Sequence, residues 1–212
     1  MREGESMGKK YSNFLFNAIA PIYALFYKSQ KKSFRRVISG VACDLDLSTF
    51  DTVLDVGCGT GALCSVLREK GLSVTGIDPA EKMLRIARKQ QENRDITFMS
   101  ADVVETLPFA DKTFDISMAS FVAHGMLKSD RQRMYAEMSR VTKDRVVIYD
   151  YNANRSWVIS LVEWFERGDY FHFIKVAEDE MRNCVAEMNA CFQDVRVVDV
   201  DKRAAWYICT PQ

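Results

Sequence analysis

Three glycines at alternate positions, Gly57, Gly59 and Gly61, constrain the fold of this chain more than any other feature. They follow an apolar run over 52–56 that predicts a buried strand. They precede a segment over 62–70 with apolar residues at helical spacing, and Gly71 is predicted to end that helix. Glycine lets the backbone turn sharply and approach a ligand closely, and a helix N-terminus offers free N–H groups to a carboxylate or phosphate. The stretch therefore predicts a strand, a turn and a helix that bind a nucleotide-like ligand.

The glycine spacing alone leaves the ligand open. Gly57, Gly59 and Ala62 also satisfy the G-x-G-x-x-G/A fingerprint of dinucleotide-binding proteins. A second short strand is predicted over 73–77 and is followed by Asp78. An acidic residue at that place binds a ribose diol in nicotinamide and S-adenosylmethionine proteins alike. A nicotinamide-dependent oxidoreductase is therefore one interpretation of this part of the chain.

Three further features distinguish the interpretations. Asp55 precedes the first glycine, and Asp102 follows a third predicted strand. Near the C-terminus, two segments alternate in period two around a polar turn, which predicts a hairpin over 194–210. Such a hairpin makes the last strand antiparallel, which fits a methyltransferase fold and not a nicotinamide-binding one. The predicted fold is α/β and Rossmann-like, with a seven-stranded, mostly parallel sheet, an antiparallel last strand, helices on both faces and an N-terminal helical cap.

The joint pattern resembles the class I S-adenosylmethionine-dependent methyltransferases. Residues 53–61, VLDVGCGTG, are similar to the first motif of that family, and residues 76–84, GIDPAEKML, are similar to its second-strand motif. Residues 107–115 resemble the family's lead-in to the fourth strand. The segment 16–23 resembles the N-terminal cap of the ubiquinone and menaquinone C-methyltransferase branch, although Ala24 stands where that branch usually has an acidic residue.

The resemblance implies a binding site for S-adenosylmethionine. Asp55 would order the glycine loop and contact the ammonium of the methionine part, directly or through water. Asp78 would accept both ribose hydroxyls, because two carboxylate oxygens match a vicinal diol. Asp102 would accept from the exocyclic amine of the adenine. The predicted cofactor-binding residues are Asp55, Gly57, Cys58, Gly59, Thr60, Asp78, Pro79, Met83, Asp102, Val103 and Ser120.

Plain structural roles remain as alternatives for several of these residues. Asp55 could serve only to brace the loop, Asp78 could cap a helix, and Met83 could belong to the core. A reactive role for Cys58 is not expected. For each of these residues, the structural role and the cofactor-binding role differ in whether the side chain contacts the protein or a ligand.

The implied reaction is in-line transfer of a methyl group to a small apolar or aromatic acceptor. A sulfonium is already an activated donor, so the protein chiefly supplies proximity and alignment. A base is needed only where the nucleophile must lose a proton, and His124, after the fourth predicted strand, is the candidate. Weaker candidates are Tyr27, Asp150, Tyr151 and His172. The alternative for the whole chain is a non-catalytic S-adenosylmethionine-binding module.

The chain is expected to form one domain with four parts. The domain is expected to cover 1–212. Its parts are an N-terminal helical cap over 1–42, a cofactor-binding core over 50–150, a helical lid or connection over 155–192 and the C-terminal hairpin over 194–210. Residues 1–10 are expected to fray, and Pro21 is expected to break the helix of the cap. The aromatic residues of the cap and of 157–174 predict either a lid over the acceptor or a dimer interface.

Composition limits the class of protein and its partners. Lys plus Arg and Asp plus Glu both number 29, so the chain lacks the net positive charge of a protein built mainly to bind nucleic acid. Six cysteines without a C-x-x-C pair, and two histidines, argue against a zinc site and for reduced thiols in a cytoplasmic protein. No apolar run reaches transmembrane length, which leaves peripheral membrane contact open. A monomer or homodimer is expected.

Overall fold

The computed structural model describes residues 2–152, 184–201 and 204–212. The chain divides into two compact units, Met1–Asp102 and Val103–Gln212. Of the predicted lid or connection over 155–192, residues 155–183 lie outside the described part of the chain. Residues 202 and 203 of the hairpin turn lie outside it as well. No helix in the described part of the chain is long and apolar enough to cross a membrane.

The first unit contains the glycine stretch. Its described helices and strands are α1 over Arg2–Gly40, β1 over Thr52–Val56, α2 over Ala62–Glu69, β2 over Ser73–Ile77, α3 over Glu81–Lys89 and β3 over Thr97–Met99. Short 3-10 turns cover Leu47–Thr49 and Gln91–Asn93. β2 pairs in parallel with both β1 and β3. The carboxyl ends of these strands therefore share one edge, where open α/β sheets bind ligands.

The end of α2 follows the sequence prediction. Gly71 has a φ of +96°, and its N–H donates to the carbonyl of Arg68 at 3.0 Å. The N–H of Leu72 donates to the carbonyl of Leu67 at 3.3 Å. This pair of bonds is a Schellman motif, which satisfies carbonyls that the end of a helix leaves without partners. Gly71 is thus confirmed as the residue that ends the helix.

The N-terminal helix differs from the sequence prediction. The expected break at Pro21 is wrong, because α1 runs without interruption over Arg2–Gly40. The expected fraying of residues 1–10 stays a prediction. A proline inside a helix costs about 3 kcal/mol, so contacts on its two sides must offset that cost. Ala20 is buried against Ala80 and Met83, and Asn17 accepts a hydrogen bond from the N–H of Lys82 at 2.9 Å.

The second half of α1 is fixed to the same unit by polar contacts. The ammonium of Lys31 lies 2.9 Å from a carboxylate oxygen of Glu69 and 3.0 Å from one of Glu92. The guanidinium of Arg35 donates to both oxygens of Glu69 at 2.7 Å, and this pairing lowers the pKa of Glu69 to about 2. Tyr27 is buried on the same helix. The helix is therefore an integral part of the first unit.

The second unit contributes the rest of the sheet. Its described helices and strands are β4 over Phe114–Ser120, α4 over Lys128–Val141, β5 over Thr142–Tyr151, α5 over Cys184–Asn189, β6 over Phe192–Asp199 and β7 over Ala204–Pro211. A 3-10 turn covers Ala123–Gly125. α4 and α5 are joined by a buried ion pair, in which Arg131 donates to both oxygens of Glu187 at 3.0 and 3.2 Å.

The strand order confirms the predicted fold class. The seven strands form one sheet in the order β3-β2-β1-β4-β5-β7-β6. β4 and β5 are parallel, whereas β7 is antiparallel to both of its neighbours, β5 and β6. The hairpin predicted near the C-terminus is formed by β6 and β7. The result is a Rossmann-like sheet with an antiparallel last strand.

Candidate functional site

The glycine loop follows β1 and leads into α2. Gly59 and Gly61 have φ values of +53° and +77°. Residues with a Cβ atom rarely adopt this left-handed backbone conformation. The surroundings of the two glycines differ. A Cβ on Gly59 would meet no atom within 4 Å, whereas a Cβ on Gly61 would lie 2.7 Å from Nδ2 of Asn93. The backbone at Gly59 is therefore open to a ligand, and Gly61 is packed against the protein.

Asp78 braces this loop. One carboxylate oxygen accepts a hydrogen bond from the N–H of Gly59 at 2.9 Å, and the other accepts one from the N–H of Ala80 at 2.7 Å. The side chain is buried, and burial raises its pKa despite these two bonds. Each carboxylate oxygen can accept a second hydrogen bond. Asp78 can therefore hold the loop and accept from hydroxyl groups of a ligand at the same time.

Asp55 is enclosed at the end of β1. Its side chain is 1% exposed, and one of its oxygens accepts a hydrogen bond from the thiol of Cys64 at 3.0 Å. Burial is the main reason that its pKa rises to about 7, and the negative charge of Asp78 contributes in the same direction. Sequence analysis did not identify Cys64 as this partner. A cation close to such a buried carboxyl group would stabilise its charged form.

Two thiols pack beside this carboxyl group. A Cβ on Gly76 would lie 2.9 Å from the sulfur of Cys64 and 3.0 Å from that of Cys58, so the glycine of β2 makes room for both. Burial raises the pKa of each thiol, which keeps them protonated and unreactive at neutral pH. The thiols therefore contribute packing, and Cys64 contributes a hydrogen bond.

The other predicted residues of the first unit have varied surroundings. Thr60 is buried within the loop, and Pro79 is exposed just after Asp78. Met83 is buried with Ala20 and Ala80, which is the core position that sequence analysis left as an alternative to an adenine contact. Asp102 is half-buried in the loop after β3. Cofactor contacts of these four residues remain predictions.

Two predicted cofactor residues lie in the second unit. Val103 is buried at its start, and Ser120 is the last residue of β4. The hydroxyl oxygen of Ser120 is buried and has no hydrogen-bond partner among the described residues. Because buried hydroxyl groups are nearly always paired, this oxygen is a natural contact for a polar ligand. Contact of Ser120 with the cofactor stays a prediction.

His124 lies in the 3-10 turn beyond β4 and is held by Asp150, near the end of β5. Nδ1 of His124 lies 2.9 Å from one oxygen of Asp150, and the backbone N–H of His124 donates to the other oxygen at 3.2 Å. The Asp150 side chain is 0% exposed, and that of His124 is 24% exposed. Sequence analysis named Asp150 only as a weaker alternative base, and it did not predict this contact.

Aromatic rings lie beside the histidine. The ring of Phe121 lies 4.6 Å from that of Tyr149, 5.4 Å from that of Tyr151 and 6.5 Å from that of His124, centre to centre. The rings of His124 and Tyr151 are 4.9 Å apart. Phe121 has a φ of +56°, which is strained for a residue with a bulky side chain. The four residues Phe121, His124, Tyr149 and Tyr151 form what we call the aromatic cluster.

A family model and several curated proteins match this chain. The family model described as "Methyltransferase domain" matches residues 53–145. A demethylmenaquinone methyltransferase from Thermotoga maritima is 34% identical over 151 residues, which are 67% of this chain and 62% of that protein. A chloroplastic 2-phytyl-1,4-beta-naphthoquinone methyltransferase from Arabidopsis thaliana is 30% identical over 161 residues, 70% of this chain and 60% of that protein. The chain therefore spans less than two thirds of the length of either relative.

The fold has close counterparts among solved structures. A protein from Methanococcus maripaludis has a TM-score of 0.72 with this chain at 17% identity, and the match covers 92% of this chain and 93% of that one. At this identity the likeness concerns the fold alone. Taken together with the motifs and the family model, it leads to one assignment. The chain belongs to the class I S-adenosylmethionine-dependent methyltransferases and is distantly related to the menaquinone and ubiquinone methyltransferases.

Proposed function

We propose that this protein transfers the methyl group of S-adenosylmethionine to a small aromatic acceptor. The observation that carries the choice of acceptor is the aromatic cluster, in which Phe121 and Tyr151 remain 38% and 36% exposed beside a half-buried histidine. Exposed rings at the end of a sheet's strands offer stacking contacts to a planar ligand. The strained backbone of Phe121 adds support, because such strain concentrates at functional sites.

The donor groups of the first unit fit the cofactor. The open backbone at Gly59 suits close approach of a ligand, and Asp78 retains acceptor capacity for ribose hydroxyls. Asp55 would be stabilised in its charged form by the ammonium of a methionine part, directly or through water. In the second unit, the buried hydroxyl of Ser120, which has no hydrogen-bond partner in the described part of the chain, would offer a further polar contact. These residues would hold the cofactor together with the remaining predicted set.

The names of the two curated relatives support an aromatic acceptor. One is named for demethylmenaquinone and the other for a 1,4-naphthoquinone, which are both quinone compounds. The N-terminal segment that resembles the quinone branch is part of α1 and belongs to the first unit. We take these relatives as a guide to the class of acceptor and not to its identity.

The chemistry divides between cofactor and protein. Bound S-adenosylmethionine supplies a methyl group that is already activated by its sulfonium. The residues of the chain hold the donor and the acceptor in line, and alignment of this kind can contribute several orders of magnitude in rate. His124 would accept a proton from an acceptor that must lose one. Methyl transfer itself is a single displacement, so no covalent intermediate with the protein is needed.

An acceptor screen tests the proposed activity. The full-length protein is incubated with radiolabelled S-adenosylmethionine and panels of phenols, quinols, amines and carboxylates, including 1,4-dihydroxynaphthalene. We expect label in an aromatic member and little in aliphatic amines or carboxylates of similar size. Label only in the aliphatic members would contradict the choice of acceptor. Binding of the cofactor without label in any panel member would favour the non-catalytic binding module instead.

Removal of the Asp78 carboxylate tests the cofactor site. We expect Asp78→Ala to weaken binding of S-adenosylmethionine by about 1.5–3 kcal/mol, roughly 10- to 150-fold, because the ribose loses a charged acceptor. Asp78→Asn keeps one acceptor oxygen and should lose less. Asp95→Ala removes an exposed carboxylate from the same unit and serves as the matched control. Dissociation constants from calorimetry measure all three. Parent-like affinity in both Asp78 variants would show that Asp78 does not bind the ribose.

A further inference from the structure

The carboxylate of Asp150 makes hydrogen bonds to one turn and to one strand end. Oδ1 of Asp150 lies 2.9 Å from Nδ1 of His124 and also accepts a hydrogen bond from the backbone N–H of Tyr151 at 2.8 Å. Oδ2 accepts from the backbone N–H of His124 at 3.2 Å. The side chain is buried completely. Asp150 thus joins the end of β5 to the turn that carries His124 and fixes the imidazole ring in one orientation.

These contacts decide which ring nitrogen carries hydrogen. An ionised carboxylate can only accept hydrogen bonds, so its 2.9 Å contact requires a hydrogen on Nδ1. In the neutral ring the other nitrogen, Nε2, then has a free lone pair. The histidine is 24% exposed, so part of its ring can be reached from outside. Phe121 and Tyr151 flank the same ring and supply flat apolar surfaces.

We propose that Asp150 is a positioning residue, which holds His124 as the Nδ1–H tautomer and so makes Nε2 the acceptor of a proton from an aromatic hydroxyl group. The inference rests on the proposed function and narrows it to acceptors that carry such a hydroxyl. The hydroxyl gives its proton to Nε2 while its oxygen forms a bond to the methyl carbon. The electron pair of the breaking carbon–sulfur bond stays on sulfur, and the proton on His124 passes to solvent.

The other titratable groups around Asp150 do not compete for this role. Burial is the main cause that raises the pKa of Tyr135 on α4, of Cys184 on α5 and of Tyr207 on β7. The pKa of Cys184 rises to about 11. The negative charge of Asp150 raises all three pKa values further. The hydroxyl of Tyr207 donates to the carbonyl of Tyr151 at 2.9 Å. These groups remain protonated near neutral pH. None of these three groups can therefore accept the proton of a hydroxyl group near neutral pH.

The tautomer can be read without any substitution or acceptor. The chain has two histidines, so nitrogen-15 labelling of histidine gives few signals, and a His172→Gln variant assigns them. At a pH where the ring is neutral, proton–nitrogen correlation spectra should show hydrogen on Nδ1 of His124 and a bare Nε2. In Asp150→Ala the population should shift toward hydrogen on Nε2. Asp150→Asn keeps one acceptor oxygen and should lie between these two.

Kinetics then test whether His124 depends on Asp150. With 1,4-dihydroxynaphthalene as acceptor, or another hydroxylated aromatic that the screen labels, Asp150→Ala should lower kcat by about 100-fold with little change in KM. His124→Gln should cost at least as much, and adding Asp150→Ala to it should cost little more, because the two residues act as one unit. Asp144→Ala, an exposed carboxylate on the same strand, is the matched control.

The outcomes separate this inference from the proposed function. Methyl transfer to an aromatic hydroxyl by a parent protein whose neutral His124 carries hydrogen on Nε2 would overturn the positioning role and leave the function intact. Independent, multiplicative losses from Asp150→Ala and His124→Gln would also overturn it. A third outcome is that His124 carries hydrogen on Nδ1 while the protein methylates only amines or carboxylates. That outcome would contradict the proposed function and the hydroxyl acceptor, but not the contact between His124 and Asp150.

Discussion

Replacing Asp55 by asparagine is expected to stabilise the cofactor-free protein increasingly as the pH rises from about 4 to about 8. The carboxyl group is buried, and its pKa is raised from 3.8 to about 7 in the folded protein. Between these values the folded chain holds a proton that the unfolded chain has released, so the free energy of unfolding of the parent falls as the pH rises. Asparagine has a similar shape and carries no such penalty.

The size of the effect follows from the width of this pH window. About 3 pH units at 1.36 kcal/mol each give roughly 4 kcal/mol between acid and slightly alkaline pH. Denaturant unfolding of the parent and Asp55→Asn over this range measures the difference. Asp95→Asn, an exposed site in the same unit, has no burial cost and serves as control. If the difference in free energy of unfolding between Asp55→Asn and the parent did not change with pH, the pKa of Asp55 would not be raised by burial.

Replacing Gly61 by alanine is expected to destabilise the protein by roughly 2–5 kcal/mol. One part of the cost is the left-handed backbone at a φ of +77°. The other part is steric, because the new Cβ would lie 2.7 Å from Nδ2 of Asn93 and 3.0 Å from both Ala87 and Phe98. Asn93 also donates to the carbonyl of Ala87 at 3.1 Å, so its side chain cannot move freely.

Gly71 provides the matched control for this substitution. It has a φ of +96°, but a Cβ there would meet no atom within 4 Å. Gly71→Ala should therefore show only the backbone cost, about 1–2 kcal/mol. The midpoint of urea unfolding, measured at constant pH, compares the two variants with the parent. Equal losses at both positions would mean that the packing around Gly61 contributes nothing.

The sequence predicted the sheet well because its signals are local. The apolar run before the glycines predicts β1, and the period-two pattern near the C-terminus predicts the hairpin of β6 and β7. Asp78 was predicted from its place after β2, and its carboxylate does lie against the glycine loop through the N–H of Gly59. The antiparallel direction of the last strand followed from the predicted hairpin and is confirmed.

The remaining features depend on residues that are distant in sequence. The thiol partner of Asp55 requires the first turn of α2 to pack beside β1, and no spacing rule indicates it. The contact between His124 and Asp150 joins residues of two separate segments, and it becomes visible only when β4 and β5 pair. Pro21 was misjudged for a related reason. Helix propensity predicts a break, but tertiary contacts of Asn17 and Ala20 favour a continuous helix.

Titration calorimetry with the cofactor tests the central claim most directly. The full-length protein is titrated with S-adenosylmethionine, with S-adenosylhomocysteine and with NADH, in a buffer that contains a metal chelator. We expect micromolar binding of the first two ligands and no binding of NADH, because we propose that the glycine loop, Asp55 and Asp78 bind the adenosine and methionine parts of the cofactor. Binding of NADH with no heat from either S-adenosyl compound would contradict the account and favour a nicotinamide-dependent oxidoreductase.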